Sequence, residues 1–189
     1  FTLTQPAGNP TQSFSFTDTL PAGLQIAATP NVGGSCSGGT VTATAGSSSI
    51  TVTNRQIVNP ATTCTITVDV TTSATPTTGV CPQANNTNGA ANISATTNVT
   101  NSVTNQCVGV TAAVPTLNKQ FSGALTVGGT TTLTFTVSQP TGNPTQTFSF
   151  TDTLPAGLRI AATPNVGGTC SIGAGSRTAT AGSSTITIT

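Results

Sequence analysis

One stretch of sequence, Phe-Ser-Phe-Thr-Asp-Thr-Leu-Pro-Ala-Gly-Leu, occurs twice, at residues 14–24 and again at residues 148–158. In each copy the phenylalanines, the aspartate and the first leucine fall on alternate positions. A strand sends successive side chains to opposite faces, so these residues are expected to share one core. An aspartate on that face needs a partner, because an unpaired buried carboxylate costs free energy. The residues concerned are Phe14, Phe16, Asp18 and Leu20, and Phe148, Phe150, Asp152 and Leu154.

The repeat extends well beyond this stretch. Residues 1–37 correspond to residues 135–171, and the correspondence resumes after a two-residue insertion. A period of roughly 135 residues is one whole domain rather than a solenoid turn. The sequence therefore predicts that residues 1–112 form one module without its first strand or strands, and that residues 113–189 form the N-terminal part of the next.

Period-two alternation indicates strands throughout the chain, and no segment has helical periodicity. Many short strands separated by turn signals predict an all-β fold of tandem, Ig-like antiparallel β-sandwich modules. Inward-facing residues are expected on the strands marked by Leu117, Lys119 and Phe121, by Leu133, Phe135 and Val137, by Val41 and Ala43, by Ile50 and Val52, by Cys64, Ile66, Val68 and Val70, and by Ile93, Val99, Asn101 and Val103.

Composition argues against several functions. Charged residues make up 4% of the chain, and there is no histidine, tryptophan, tyrosine or methionine. Four scattered cations predict no nucleic-acid surface, and no apolar run reaches membrane-span length. General acid–base catalysis needs histidine or paired carboxylates, and the only acids are three separated aspartates. We therefore expect no enzyme, cofactor or metal site.

The five cysteines have neither histidine nor Cys-x-x-Cys spacing beside them, so disulfides in an oxidising, extracytoplasmic setting are expected. Four cysteines in the first module allow three connectivities. We expect Cys36 to bond Cys64 and Cys81 to bond Cys107. Cys170, the counterpart of Cys36, then stays unpaired within this sequence.

Four motifs resemble the DUF11-type and related Ig-like tandem repeats of large bacterial surface, adhesin-like proteins. They are Leu-x-Lys-x-Phe, Gly-Gly-Thr-x-x-Leu-x-Phe, Phe-Thr-Asp-Thr-Leu-Pro-Ala-Gly-Leu and Cys-x-Ile-x-Val, and the resemblance covers essentially the whole chain. It implies tandem modules in secreted or cell-wall proteins and no defined ligand.

Lys119 has the inward parity of its strand, so it is expected to meet Asp152. One interpretation is a buried or half-buried ion pair, or a lysine that reaches solvent at the sheet edge. The resemblance implies another, a Lys–Asn isopeptide bond. Lys119 would then be the nucleophile, Asp152 the proton shuttle and a counterpart of Asn101 the electrophile, with Asp18 beside Asn101 in the other copy.

Three classes of function follow as hypotheses. The first is a structural repeat of a bacterial extracellular fibre, filament or adhesin stalk, with neighbouring copies as partners. The second is a cell-surface module that binds a glycan or protein through its loops. The third, an enzyme, is the class that the composition argues against. Asparagines that head Asn-x-Ser/Thr triplets make glycan attachment a further expectation; these are Asn85, Asn92 and Asn98.

Overall fold

The computed structural model describes residues 1–171, 173 and 175–189. These divide into two compact units. The first comprises Phe1–Ala112 with Thr141–Pro144, and the second Ala113–Pro140 with Thr145–Thr189. The described residues form several antiparallel sheets and no α-helix, as the sequence predicts for an all-β protein.

The first unit contains ten strands and two short 3₁₀ turns, Ala84–Asn86 and Ala90–Asn92. Its largest sheet has four strands in the order β4-β5-β2-β9, and three two-stranded pairs, β1-β6, β3-β7 and β8-β10, complete it. The strands are β1 (Thr2–Thr4), β2 (Gln12–Thr19), β3 (Leu24–Ile26), β4 (Thr40–Ala43), β5 (Ser49–Ile57), β6 (Thr63–Thr65), β7 (Val70–Thr72), β8 (Thr87–Asn88), β9 (Ile93–Thr97) and β10 (Gln106–Cys107).

The second unit repeats part of this arrangement. Its strands β11 (Thr116–Phe121) and β12 (Leu133–Ser138) form one antiparallel pair. The strands β13 (Phe150–Thr153), β14 (Arg177–Ala179) and β15 (Thr185–Ile188) form a sheet in the order β13-β15-β14. Asp152 lies opposite Ile186 in this sheet, as Asp18 lies opposite Ile50 in the first. The two copies of the repeated strand therefore occupy equivalent positions.

The core of the first unit forms where the inward face of β2 meets the β1-β6 pair. Phe14 and Phe16 are buried, and Phe16 contacts the ring of Phe1 at a centroid distance of 5.1 Å. Burying each large apolar side chain contributes about 1.5–3 kcal/mol. The same cluster contains Cys36, Val52, Ile57, Cys64 and Ile66, and a second contains Leu20, Leu24, Ile26 and Ile50.

Burial differs between the copies. The prediction that the four repeated phenylalanines are buried is correct for Phe14 and Phe16, whereas Phe148 and Phe150 are half-buried. The second copy in this sequence reaches only the counterpart of Thr53. It therefore has no counterparts of Ile57 and Ile66, which help to cover the rings in the first unit.

Two predicted strands are shorter than expected. The strand predicted from Cys64 to Val70 is interrupted, since β6 ends at Thr65 and β7 begins at Val70. The strand predicted to run to Val103 ends at Thr97. Ala95 has a φ angle of 49° inside β9, where the register against β2 is irregular, and Asn98, directly after the strand, has a φ angle of 53° in the left-handed region. The alternation of inward and outward residues is therefore lost before residue 101.

Candidate functional site

The most unusual polar group in the first unit is the carboxylate of Asp18. The alternation of β2 places it on the inner face with Phe14 and Phe16, and its exposed fraction is 0%. Oδ2 accepts a hydrogen bond of 2.7 Å from Nδ2 of Asn88, while Oδ1 is buried without a hydrogen-bond partner among the described residues. Burial raises the pKa of Asp18, and the Asn88 hydrogen bond and the amino group of Phe1 act in the opposite direction.

Three contacts position Asn88 next to Asp18: a strand pair, a disulfide and a hydrogen bond from a neighbouring asparagine. Its strand β8 pairs with β10, in which Gln106 lies opposite Asn88. The disulfide between Cys81 and Cys107 closes the loop that contains Asn88. Just past this strand, Asn92 donates to the backbone oxygen of Thr19 at 2.7 Å. The polar loop is thereby attached to the end of β2 next to Asp18.

A second asparagine of this loop, Asn86, is buried against Gly23 of the repeated Pro-Ala-Gly turn. Its Nδ2 donates to the backbone oxygen of Thr77 at 2.9 Å and to Oε1 of Gln83 at 2.8 Å. A Cβ atom on Gly23 would lie 2.0 Å from Oδ1 of Asn86. The glycine is therefore required by the close approach of this loop.

Asp18 and Asn88 line a cavity of about 400 Å³ in the first unit. Much of its remaining wall is apolar, so a charged or polar group that enters it exchanges bulk water for a small number of protein partners. The apolar lining includes Phe1, Leu20, Leu24, Ile50, Ile66, Val68 and Val108.

In the second unit the equivalent carboxylate has a different partner. Nζ of Lys119 lies 2.6 Å from Oδ1 of Asp152, and Oδ2 of Asp152 is buried without a hydrogen-bond partner among the described residues. The Asp152 side chain is 13% exposed and that of Lys119 is 53% exposed. The ion pair that the strand parity predicts is present, with its lysine still partly in solvent.

The prediction that Asn101 faces inward beside Asp18 is wrong. Asn101 is exposed, lies outside the strands, and donates to the backbone oxygen of Ala90 at 2.9 Å. Its Oδ1 accepts from the backbone nitrogen of Val103. Asn88, which the sequence analysis did not single out, is the residue that contacts Asp18. The available signal was an inward aspartate without a partner in a unit that contains a run of asparagines.

Both expected disulfides are present. Cys36 bonds Cys64 with a Cα–Cα distance of 4.8 Å, and both residues are buried in the core around Phe16. Cys81 bonds Cys107 with a Cα–Cα distance of 5.8 Å. Cys170 is free and exposed. Arg55 donates to the backbone oxygens of Cys36 and Gly38, which ties the first disulfide to β5.

The asparagines of the three Asn-x-Ser/Thr triplets already have hydrogen-bond partners. Asn85 donates to the Thr77 hydroxyl, Asn92 to Thr19 and Asn98 to the backbone oxygen of Ser13. A glycan on any of these nitrogens would replace a hydrogen bond of the folded unit.

A metal-binding cluster and a membrane-spanning helix are both absent from the part of the chain that the structure describes. No group of three or more histidine, cysteine, aspartate or glutamate side chains is placed to hold a metal ion there. In the same residues, no helix has the length and apolar character needed to cross a membrane.

The stability of the first unit should depend on pH through Asp18. Because burial raises its folded pKa, the folded state holds the proton more tightly than the unfolded state. This contribution is fully present below the unfolded pKa and is lost as pH rises through the folded pKa. Asp18→Asn keeps an acceptor for Asn88 and removes the charge. We expect it to stabilise the unit near pH 7, with the gain disappearing below about pH 4.

Urea unfolding of the wild-type chain and of Asp18→Asn at a series of pH values measures this difference. Asn88→Ala is the companion variant, because it removes the hydrogen bond that favours the charged carboxylate. Its stability relative to wild type should decline more at neutral than at acidic pH. A gain for Asp18→Asn that is constant across the pH range would contradict the prediction.

Together these features define a class of protein: an all-β chain of repeated units, with disulfides and with a buried carboxylate on the repeated strand. A family model described as Domain of unknown function (DUF7933) matches residues 1–110 and again residues 115–189. The chain therefore belongs to the DUF7933 family and contains two copies of its domain. No curated protein and no solved structure matches the chain.

Proposed function

We propose that this chain is part of a structural repeat array, in which Ig-like β-sandwich modules give length and rigidity to a bacterial extracellular fibre, filament or adhesin stalk. The observation that carries the proposal is the equivalence of the two copies. The order β13-β15-β14 repeats the order β2-β5-β4, with equivalent residues opposite each other. A module that folds in the same way each time it recurs is suited to building length.

The bracing of the first unit supports the same function. Two disulfides close long loops within it, and one of them lies in the core around Phe16. Disulfides are consistent with an extracellular location, where thiols are not kept reduced. With 4% charged residues, identical neighbours can pack without strong repulsion. Neighbouring copies of the repeat, on the same chain or on another, are the partners that we propose.

The experiment varies the number of repeats. Residue 134 precedes the counterpart of Phe1, so further copies of residues 1–134 can be joined in frame in front of the chain. Chains with none, one and three added copies would be imaged by negative-stain electron microscopy. We expect beaded rods whose contour length increases by a constant step per added copy.

A contour length that does not grow with copy number would overturn the proposal. A glycan array and a pull-down with defined cell-wall polysaccharides, run on the same proteins, test the binding-module hypothesis. Tight and specific binding by the chain without added copies, together with no constant increment, would favour that hypothesis instead.

A further inference from the structure

The dipeptide Asn88-Gly89, next to the buried carboxylate, combines two residues that can react with each other. No other asparagine in the sequence precedes a glycine. In such a pair the backbone nitrogen of the glycine can attack the side-chain amide carbon of the asparagine, because glycine has no Cβ to obstruct the approach. Ring closure releases ammonia and leaves a succinimide, which water opens to aspartate or isoaspartate. The dipeptide is therefore a candidate site of covalent modification.

The fold requires both residues of this pair. Asn88 donates to Oδ2 of Asp18, the one hydrogen bond that this carboxylate accepts among the described residues. Without that donor the carboxylate would be buried without a partner, which costs free energy. Gly89 is buried, and a Cβ atom on it would lie 2.0 Å from Oδ1 of Asn105. A residue with a side chain therefore does not fit after Asn88.

In the folded unit, hydrogen bonds hold both reacting groups. The carboxamide of Asn88 is bound through Nδ2 to Asp18 at 2.7 Å. The backbone nitrogen of Gly89 donates to Oδ1 of Asn92 at 3.0 Å, and Nδ2 of Asn92 donates to the backbone oxygen of Thr19. Attack requires this backbone nitrogen to lose its proton and to approach Cγ of Asn88 to about 3–3.5 Å in a defined direction. Both hydrogen bonds oppose that rearrangement.

The disulfide between Cys81 and Cys107 limits how often these hydrogen bonds break. It closes the loop that contains Asn88, and β8 pairs with β10 inside that loop. The strand β8 has only two residues, and the remaining attachment to β2 consists of individual side-chain hydrogen bonds. Segments with so few contacts open locally while the rest of the domain stays folded. Removing the disulfide is therefore expected to increase the population of the open loop.

The product of the reaction does not fit the closed loop. Aspartate at position 88 has no N–H donor, and it places a second carboxylate where the donor lies, 2.7 Å from Oδ2 of Asp18. Two carboxylates at this distance cannot both be ionised without a large cost. The amino group of Phe1 also acts on Asp18, but more weakly than Asn88, and it is hydrogen-bonded to the backbone oxygen of Ile66. Isoaspartate would in addition lengthen the backbone within β8.

We propose that Asn88 is a deamidation site controlled by loop opening. The closed loop keeps the Asn88-Gly89 pair unreactive, and opening permits an irreversible conversion that releases the loop from β2. The bond between the Gly89 nitrogen and Cγ of Asn88 forms, the Cγ–Nδ2 bond breaks, and the proton lost by the Gly89 nitrogen leaves with Nδ2 as ammonia. Water then adds across one C–N bond of the imide. No electron is exchanged, and the inference does not depend on the fibre function.

The test follows conversion over time in the intact chain. The wild type and the double variant Cys81→Ala, Cys107→Ala would be incubated in the same mildly alkaline native buffer. Each deamidation adds about 1 Da, and fragmentation of the peptide bounded by Arg55 and Lys119 locates it. We expect Asn88 to convert at least about tenfold faster in the double variant than in the wild type, because its loop opens more often.

A second variant guards against misfolding of the first. Asn92→Ala keeps the disulfide and the contact between Asn88 and Asp18, but it frees the backbone nitrogen of Gly89. It should also accelerate conversion, with hydrogen exchange on the β2 peptide showing that the unit is still folded. In urea with a reductant all three chains should convert at one rate, since none of the changes alters the dipeptide. A wild-type rate in native buffer equal to its rate in urea would overturn the proposal, as would equal rates for the folded wild type and both variants.

The effect of the product is measured with a mimic. Asn88→Asp and Asn88→Ala both remove the donor to Asp18, but only the first adds a carboxylate. At neutral pH we expect faster hydrogen exchange in residues 81–107 of Asn88→Asp than in the same residues of Asn88→Ala. Exchange in Asn88→Asp as slow as in the wild type would show that the modified loop stays closed, and the proposed release from β2 would then be wrong.

Discussion

Replacing Cys36 and Cys64 together by alanine is expected to lower the free energy of unfolding of the first unit by about 3–4 kcal/mol. The disulfide closes a loop with a sequence separation of 28, and the chain-entropy model gives this magnitude for such a loop. Both sulfurs are also buried in the core around Phe16, so their removal loses packing as well. The double variant avoids leaving a single buried thiol, which would add its own reactivity.

Cys170→Ala is the matched control for this result. Cys170 is the counterpart of Cys36, but it is free and exposed, so its replacement should change stability by less than about 0.5 kcal/mol. Urea unfolding followed by hydrogen exchange on peptides of each unit distinguishes where the loss occurs. Equal losses for the double variant and for Cys170→Ala would contradict the expected role of the disulfide.

Phe16→Ala is expected to destabilise the first unit by about 3–5 kcal/mol, the range for removing a buried phenylalanine. Phe16 is 4% exposed and contacts the rings of both Phe1 and Phe14. Its removal leaves a cavity between β2 and the β1-β6 pair, whose backbone is held by hydrogen bonds and a disulfide. The site therefore has little freedom to collapse.

The same substitution in the other copy, Phe150→Ala, is the control. Phe150 is half-buried in this chain, so it loses less apolar contact, and we expect a clearly smaller loss of stability. Hydrogen exchange on β2 and β13 peptides measures both variants in one experiment. A loss for Phe150→Ala as large as that for Phe16→Ala would show that burial in this structure does not control the effect.

Local sequence patterns predicted the strands that carry the repeat. Strict alternation in Phe14, Phe16 and Asp18 placed all three on one face, because a strand has a side-chain period of two. The same argument placed Lys119 with Asp152, and those side chains form an ion pair. The four cysteines of the first module allowed three connectivities, and the one that we expected is the one that forms.

The partner of Asp18 could not be found by extending the same pattern. Parity favoured Asn101 only if the strand from Ile93 continued without interruption, and it ends at Thr97. Asn88 is 70 residues from Asp18 in sequence and lies on a two-residue strand without any alternation to interpret. The contact between Asn88 and Asp18 depends on where the loop closed by Cys81 and Cys107 packs against β2. The alternation of side chains along a strand carries no information about that position.

The sequence by itself determined that this protein is an all-β repeat, that its repeated strand faces a core, and that the core includes a carboxylate needing a partner. The strands and their inward face follow from side-chain alternation, which is a local property of the chain. The need for a partner follows from the free energy that it costs to bury an unpaired carboxylate. The tertiary structure decided that the partner of Asp18 is Asn88. That choice depends on contacts between segments far apart in the chain, where loop closure and strand ends set the geometry.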